Sequence, residues 1–208
     1  MSLSELPEGV YGITSGDFHY TQVEVARILL KAGVRIIQYR EKKAPAKRMY
    51  KEALEIKRLC AQYGAKFIVN DRVDLALSVE ADGVHIGQDD LPLTAVKKIF
   101  PGGLIGVSAR TVEQALEAEA LGATYLGVGS IYPTTTKGDA QYTGEEGLKN
   151  ILEKVSIPVY AIGGIKLEHV CRLKSFGVRG VAVISAILGE PDPMQAAKRF
   201  VKEWVRCE

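Results

Sequence analysis

Residues 63–90 read YGAKFIVNDRVDLALSVEADGVHIGQDD, and the order of apolar and polar blocks in this stretch decides the fold. Residues 66–69 form an uninterrupted run of strand length, closed by the polar pair Asn70-Asp71. Residues 72–79 carry helical spacing, Ala81-Asp82-Gly83 breaks it, and residues 83–86 begin a second run that ends on Gly87-Gln88-Asp89-Asp90. Strand, polar loop, helix, glycine turn and strand make the repeating unit of a parallel sheet. Both runs are continuous instead of alternating, so each strand is expected to be buried on both faces beneath helices.

The same unit extends in both directions. Upstream lie a strand at 10–14, a helix at 21–32, a strand at 34–39 and a helix at 45–63. Downstream come a helix at 93–100, a strand at 104–107, a helix at 112–121, a strand at 124–127 and a helix at 145–155. A strand at 158–162, a helix at 167–176, a strand at 180–184 and a helix at 194–205 complete the series. Ala32-Gly33-Val34, Tyr63-Gly64-Ala65, Leu121-Gly122-Ala123 and Phe176-Gly177-Val178 each precede a strand, where glycine supplies the positive-φ helix cap. Eight strand-helix units predict a single (β/α)8 barrel of the TIM type, one α/β domain over residues 1–208. A doubly wound open sheet has fewer strands and opens on a GxGxxG turn, and neither matches this chain.

Composition narrows the partners. The 208 residues carry 27 basic and 25 acidic side chains for a net charge of +2, and no basic stripe interleaved with aromatics. Nucleic acid is therefore not expected, and any bound anion must be held by local groups. Cys60, Cys171 and Cys207 are few, far apart and without a CxxC pair, a poor disulfide framework that suits a reduced cytosol. No secretory leader is visible, and no apolar run reaches the roughly 20 residues a membrane-spanning helix needs. A soluble, cytoplasmic protein is expected. A homo-oligomer is compatible with the sequence, which does not fix the number of subunits.

In a closed parallel barrel the chemistry sits in the loops that follow the strands. After the second strand comes Gln38-Tyr39-Arg40-Glu41-Lys42, in which Gln38, Arg40 and Lys42 share a face and suit a phosphate or diphosphate. The plainer alternative is a solvated charge cluster at a helix start. Asn70-Asp71 and Asp90 follow neighbouring strands. Each has an ordinary helix-capping explanation, yet two converging carboxylates also match magnesium, which takes one or two of them together with waters and phosphate oxygens. Ser108 closes the fifth strand. The loop after the sixth contains Thr134, Thr135, Thr136 and Lys137, rich in donors and low in bulk. Gly163-Gly164 and Ile184-Ser185 follow the seventh and eighth strands, where barrels commonly hold a phosphate. GxxxxGK[ST], HExxH and GxSxG are absent, and His19, His85 and His169 have no sequence partners for a triad or zinc centre.

These motifs together resemble the thiamine-phosphate synthase family over roughly residues 10–197. They are QYREK at 38–42, VND at 69–71, GVHIGQDD at 83–90, GVSAR at 106–110, YPTTTK at 132–137, AIGGI at 161–165 and GVAVISAI at 180–187. The resemblance implies a transferase that joins hydroxymethylpyrimidine diphosphate to hydroxyethylthiazole phosphate, giving thiamine monophosphate and diphosphate. It implies Asp71 and Asp90 as magnesium ligands. Gln38, Arg40, Lys42, Asn70, Ser108 and Lys137 would contact the pyrimidine diphosphate, with Tyr39 and Glu41 inside the same motif. Thr134, Thr136, Gly164, Ile184 and Ser185 would hold the thiazole phosphate, with Thr135 between them. Arg40, Lys42 and Lys137 would stabilise the departing diphosphate. Ser130 stands where the family often has proline, and His169 where asparagine is common. Three other readings stay open: a thiazole tautomerase-like isomerase, a sugar-phosphate epimerase or aldolase using Lys42, Lys66 or Lys137, and a non-catalytic barrel that binds a phosphorylated metabolite.

Overall fold

Every residue of β1 (Gly9–Ile13), β2 (Ile36–Tyr39), β4 (Gly83–Ile86) and β8 (Gly180–Val183) is buried, as continuous apolar runs require. The computed structural model describes residues 6–133 and 142–207. With β3 (Lys66–Asn70), β5 (Leu104–Ala109), β6 (Tyr125–Val128) and β7 (Val159–Ile162), these strands pair in parallel and in sequence order. β8 returns to β1 and closes the barrel. The outer ring is α1 (Gln22–Lys31), α2 (Ala46–Gln62), α3 (Val73–Ser78), α4 (Leu93–Ile99), α5 (Val112–Ala120), α6 (Gly144–Leu152) and α7 (Val170–Ser175), followed by α8 (Ser185–Leu188) and α9 (Pro193–Arg206).

Alternation along the strands divides the core into two layers. One lies between strands and helices and takes Ile37, Tyr39, Phe67, Val69, Val107 and Leu126. The other fills the barrel with Tyr11, Ile13, Ile36, Ile68, Tyr125 and Tyr160. Two of the three tyrosines, Tyr125 and Tyr160, fit there because a glycine stands against each. A Cβ on Gly106 would overlap Tyr125 and His85, and one on Gly180 would crowd the Tyr160 ring. Tyr160 meets the other two edge-on, with the Tyr11 and Tyr160 centroids 5.1 Å apart.

The two ends of the barrel differ. At the amino-terminal end Leu6 is buried in the inner layer, Tyr160 Oη donates to the Pro7 carbonyl, and Arg179 pairs with Glu8. That end is sealed, which leaves the carboxyl ends of the strands as the mouth. Local signals set the helices. Thr21 and Glu24 form a capping box on α1, and Asp192 caps α9 with Pro193 in its first turn. α9 buries Ala196, Ala197, Phe200 and Trp204.

Several expectations are corrected. α8 is a one-turn helix between the eighth strand and the last helix, where no helix was expected. α7 is preceded by a 3-10 turn at Leu167–His169. The cysteines are not all free: Cys171 and Cys207 form a disulfide with Cα atoms 5.2 Å apart, leaving Cys60 as a free, buried thiol. A separation of 36 residues hid that pair, because α9 folds back along α7. Among the described residues no helix is long and apolar enough to cross a membrane.

Candidate active site

The rim of the mouth encloses a cleft of about 510 Å³, within the usual range for a small-molecule site. A smaller chamber of about 30 Å³ continues beneath it between Tyr11, Gln38, His85 and Ser108.

β2 brings its alternate side chains to different places. Gln38 points inward and donates from Nε2 to Tyr11 Oη at 2.9 Å, Arg40 lines the cleft, and Lys42 Nζ stands 3.5 Å from the Asp71 carboxylate. Among the described residues nothing pairs with the Arg40 guanidinium. Tyr39 and Glu41, expected in the site, lie outside it. Tyr39 is one residue out of phase and faces the outer layer, where its hydroxyl donates to Glu52 at 2.8 Å. Glu41 accepts from Gln22 Nε2 and from the Lys43 and Ala44 amides, so its carboxylate braces the loop before α2.

β3 and β4 deliver the acids. Asp71 sits at φ 61°, a left-handed conformation that aspartate tolerates better than most residues, with its amide donating to the His85 carbonyl at 2.8 Å. The Asp90 carboxylate turns back to accept from the Gly87 amide at 2.6 Å. The two carboxyl groups meet. Burial, and then the Asp90 carboxyl beside it, raises Asp71 above the ordinary carboxylate range, and Lys42 opposes this in part. The cleft is thus lined by Arg40, Lys42 and Arg110 and also by Asp71, Asp89 and Asp90.

Asn70 and Ser108 also line the cleft, from the ends of β3 and β5. Across the mouth, Gly163 and Gly164 have φ of 96° and 64° and form the turn after β7. Only glycine fits at Gly164, because a Cβ would lie 2.6 Å from the Tyr132 carbonyl oxygen and 2.5 Å from that of Pro133. Ile184 and Ser185 complete this side at the start of α8. The expected residues Thr134, Thr135, Thr136 and Lys137 lie outside the described residues. His85, Gln88, Arg110 and Ser130 line the cleft as well, and the sequence reading did not select them. Their only signal was their position at the ends of strands.

A family model described as "Thiamine monophosphate synthase" matches residues 10–187. The chain is 52% identical over 200 residues to the thiamine-phosphate synthase of Caldivirga maquilingensis, covering 96% of this chain and 98% of that one. It is also 52% identical over 194 residues to the thiamine-phosphate synthase of Archaeoglobus fulgidus, covering 93% and 91%. The chain belongs to the thiamine monophosphate synthase family. A solved structure of thiamine phosphate pyrophosphorylase from Pyrococcus furiosus superposes with a TM-score of 0.92 at 42% identity, covering 99% of this chain and 98% of that one. The span matched by the thiamine monophosphate synthase model runs from within β1 to within α8, hence across both sides of the cleft, and stops before α9.

Proposed function

We propose that this chain is a magnesium-dependent thiamine-phosphate synthase that joins hydroxymethylpyrimidine diphosphate to hydroxyethylthiazole phosphate. One observation carries the reading. Arg40, Lys42, Asn70, Asp71, Asp90 and Ser108, drawn from four strand ends, line the same cleft as Gly164, Ile184 and Ser185. The first set suits a diphosphate on a cation, and the second suits a phosphate. The epimerase and aldolase alternatives lose support at two of their three lysines, because Lys66 starts β3 at the sealed end and Lys42 is paired with Asp71, while Lys137 lies outside the described residues.

The residues present fit magnesium. Asp71 and Asp90 offer hard oxygen donors at an open rim, where burial first, and then the Asp90 carboxyl beside it, raises the Asp71 carboxyl. Bound magnesium would neutralise charge on the diphosphate. Arg40 and Lys42 hold the same diphosphate and orient it over the cleft. The lone pair of the thiazole nitrogen forms the new bond to the pyrimidine methylene carbon. The bond from that carbon to oxygen breaks, and the diphosphate leaves with the electron pair. No activated serine or cysteine is required. The protein's part is to keep the two substrates in line and to stabilise charge on the leaving group, a contribution of several kcal/mol in such sites. The loss of diphosphate is mainly dissociative, with the amino-substituted ring spreading positive charge. Electron-withdrawing groups on the pyrimidine should slow the chemical step, and an unchanged or faster step would refute that path.

The deciding experiment mixes both substrates with and without magnesium and assays thiamine monophosphate. Product only with magnesium is expected. No product under either condition would sink the reading.

A further inference from the structure

The floor of the cleft continues into the barrel as a row of hydrogen bonds. Gln38 Nε2 donates to Tyr11 Oη at 2.9 Å, and Tyr11 Oη lies 2.8 Å from Tyr125 Oη. Tyr125 Oη lies 3.2 Å from His85 Nδ1, and His85 Nε2 lies 3.0 Å from Ser108 Oγ. His85, Gly106 and Tyr125 are in register on consecutive strands, and the missing Gly106 side chain lets the imidazole and the phenol meet.

The direction of this row follows from counting protons. Burial raises both phenols, so each stays protonated and has one proton to give. Tyr11 already accepts from Gln38. If Tyr125 also donated to Tyr11, the Tyr11 proton would have no protein acceptor among the described residues, an arrangement that buried polar groups avoid. The Tyr11 proton therefore goes to Tyr125, and the Tyr125 proton goes to His85 Nδ1. The ring proton then resides on Nε2 and is given to Ser108 Oγ. The Ser108 proton is left facing the cleft.

We propose that Tyr11, Tyr125 and His85 are positioning residues that fix Ser108 as a hydrogen-bond donor to an acceptor atom of the bound pyrimidine diphosphate. The identity of that ligand rests on the function proposed above, whereas the direction of the row does not. The row gives the inner tyrosines a task beyond filling space. It also engages both ring nitrogens of His85, one with Tyr125 and one with Ser108.

Nitrogen NMR of the histidine rings in the intact protein tests the direction, with His85→Gln assigning the signal among three histidines. The wild type should show His85 protonated on Nε2 alone, and Tyr125→Phe should give a mixture of tautomers while keeping the ring that fills the barrel. A wild-type ring protonated on Nδ1 overturns the proposal. Titration with the pyrimidine diphosphate and magnesium tests the consequence. Ser108→Ala should weaken binding about threefold to tenfold, as expected for one neutral hydrogen bond. Tyr125→Phe should weaken it less, and should have no further effect once Ser108 is alanine. Additive losses in the double variant overturn the coupling. If the wild type binds no pyrimidine diphosphate, the functional reading falls, and the ring-nitrogen spectrum alone decides the row.

Discussion

The imidazole of His169 lies flat on the ring of Tyr132, with centroids 3.7 Å apart and planes 24° from parallel. The same tyrosine donates to Glu145 Oε1 at 2.6 Å, and Arg172 grips Glu145 with two bonds of 2.8 Å. Its backbone amide donates to the Gly163 carbonyl at 3.0 Å. Tyr132 therefore ties the stem of the loop after β6 both to α7 and to the glycine turn of the cleft. Tyr132→Ala should cost about 2 kcal/mol by urea denaturation and raise KM for the thiazole phosphate. Tyr132→Phe keeps the stack and should cost less than half as much. Equal losses in the two variants would show that the stack carries little.

Glu145 also predicts a pH dependence. Arg172, and then the Tyr132 hydroxyl, holds its carboxyl below the usual carboxylate range. A depressed folded-state value adds stability that is present above the unfolded value and is lost as pH falls through the lowered one. The stability gap between wild type and Glu145→Gln should therefore be flat near neutrality and shrink as pH drops below about 4.5. A gap that widens with acid would reverse the sign and remove Arg172 as its cause.

Asp71 separates binding from chemistry. Asp71→Ala should reduce kcat by at least about a hundredfold, the scale of losing a metal-linked electrostatic contact. Calorimetry should show the thiazole phosphate still bound, because Gly164 and Ser185 lie across the cleft. Thermal denaturation adds a check independent of turnover: magnesium should raise the wild-type Tm and leave that of Asp71→Ala unmoved.

Much of this arrangement was legible in the sequence, and the misses share a cause. The barrel followed from eight unbroken apolar strands, five of them preceded by a glycine turn, a local signal repeated along the chain. Asp71, Asp90 and Ser108 could be placed because strand ends map onto one rim. Tyr39 and Glu41 share a motif with Gln38, Arg40 and Lys42, yet Tyr39 is one residue out of phase on β2 and Glu41 lies past its end, in the loop before α2. The row from Gln38 to Ser108 joins five strands, and no single stretch contains it. The Cys171–Cys207 pair depends on how α9 packs on α7, which chain order does not encode.

Gly106 tests the packing of the inner layer. Its missing Cβ leaves the space that Tyr125 and His85 share. Gly106→Ala should destabilise the fold by about 1–3 kcal/mol through overpacking. It should also disturb the His85 ring signal, which a remote surface substitution would not. A fully stable Gly106→Ala with an unchanged His85 signal would mean that the barrel interior is looser than the distances imply.

The disulfide offers the sharpest test of how α9 is held. Cys171 and Cys207 close a loop of chain, 36 residues apart in sequence, that contains β8 and α8, and with them Ile184 and Ser185 of the cleft. Confining a loop of that length in the unfolded chain is worth about 4 kcal/mol in the entropy model. Cys60 does not compete for exchange, because it is buried and its thiol is pushed up to about 12. The unfolded, unreduced chain should therefore titrate one thiol, and the reduced chain three. Reductant and Cys171→Ser should lower Tm by similar amounts and leave turnover at low temperature unchanged, since neither sulfur reaches the cleft. Three thiols without reductant would mean that α9 is held to α7 by packing alone, through Phe200 and Trp204 and the Lys174 contact with the Trp204 carbonyl.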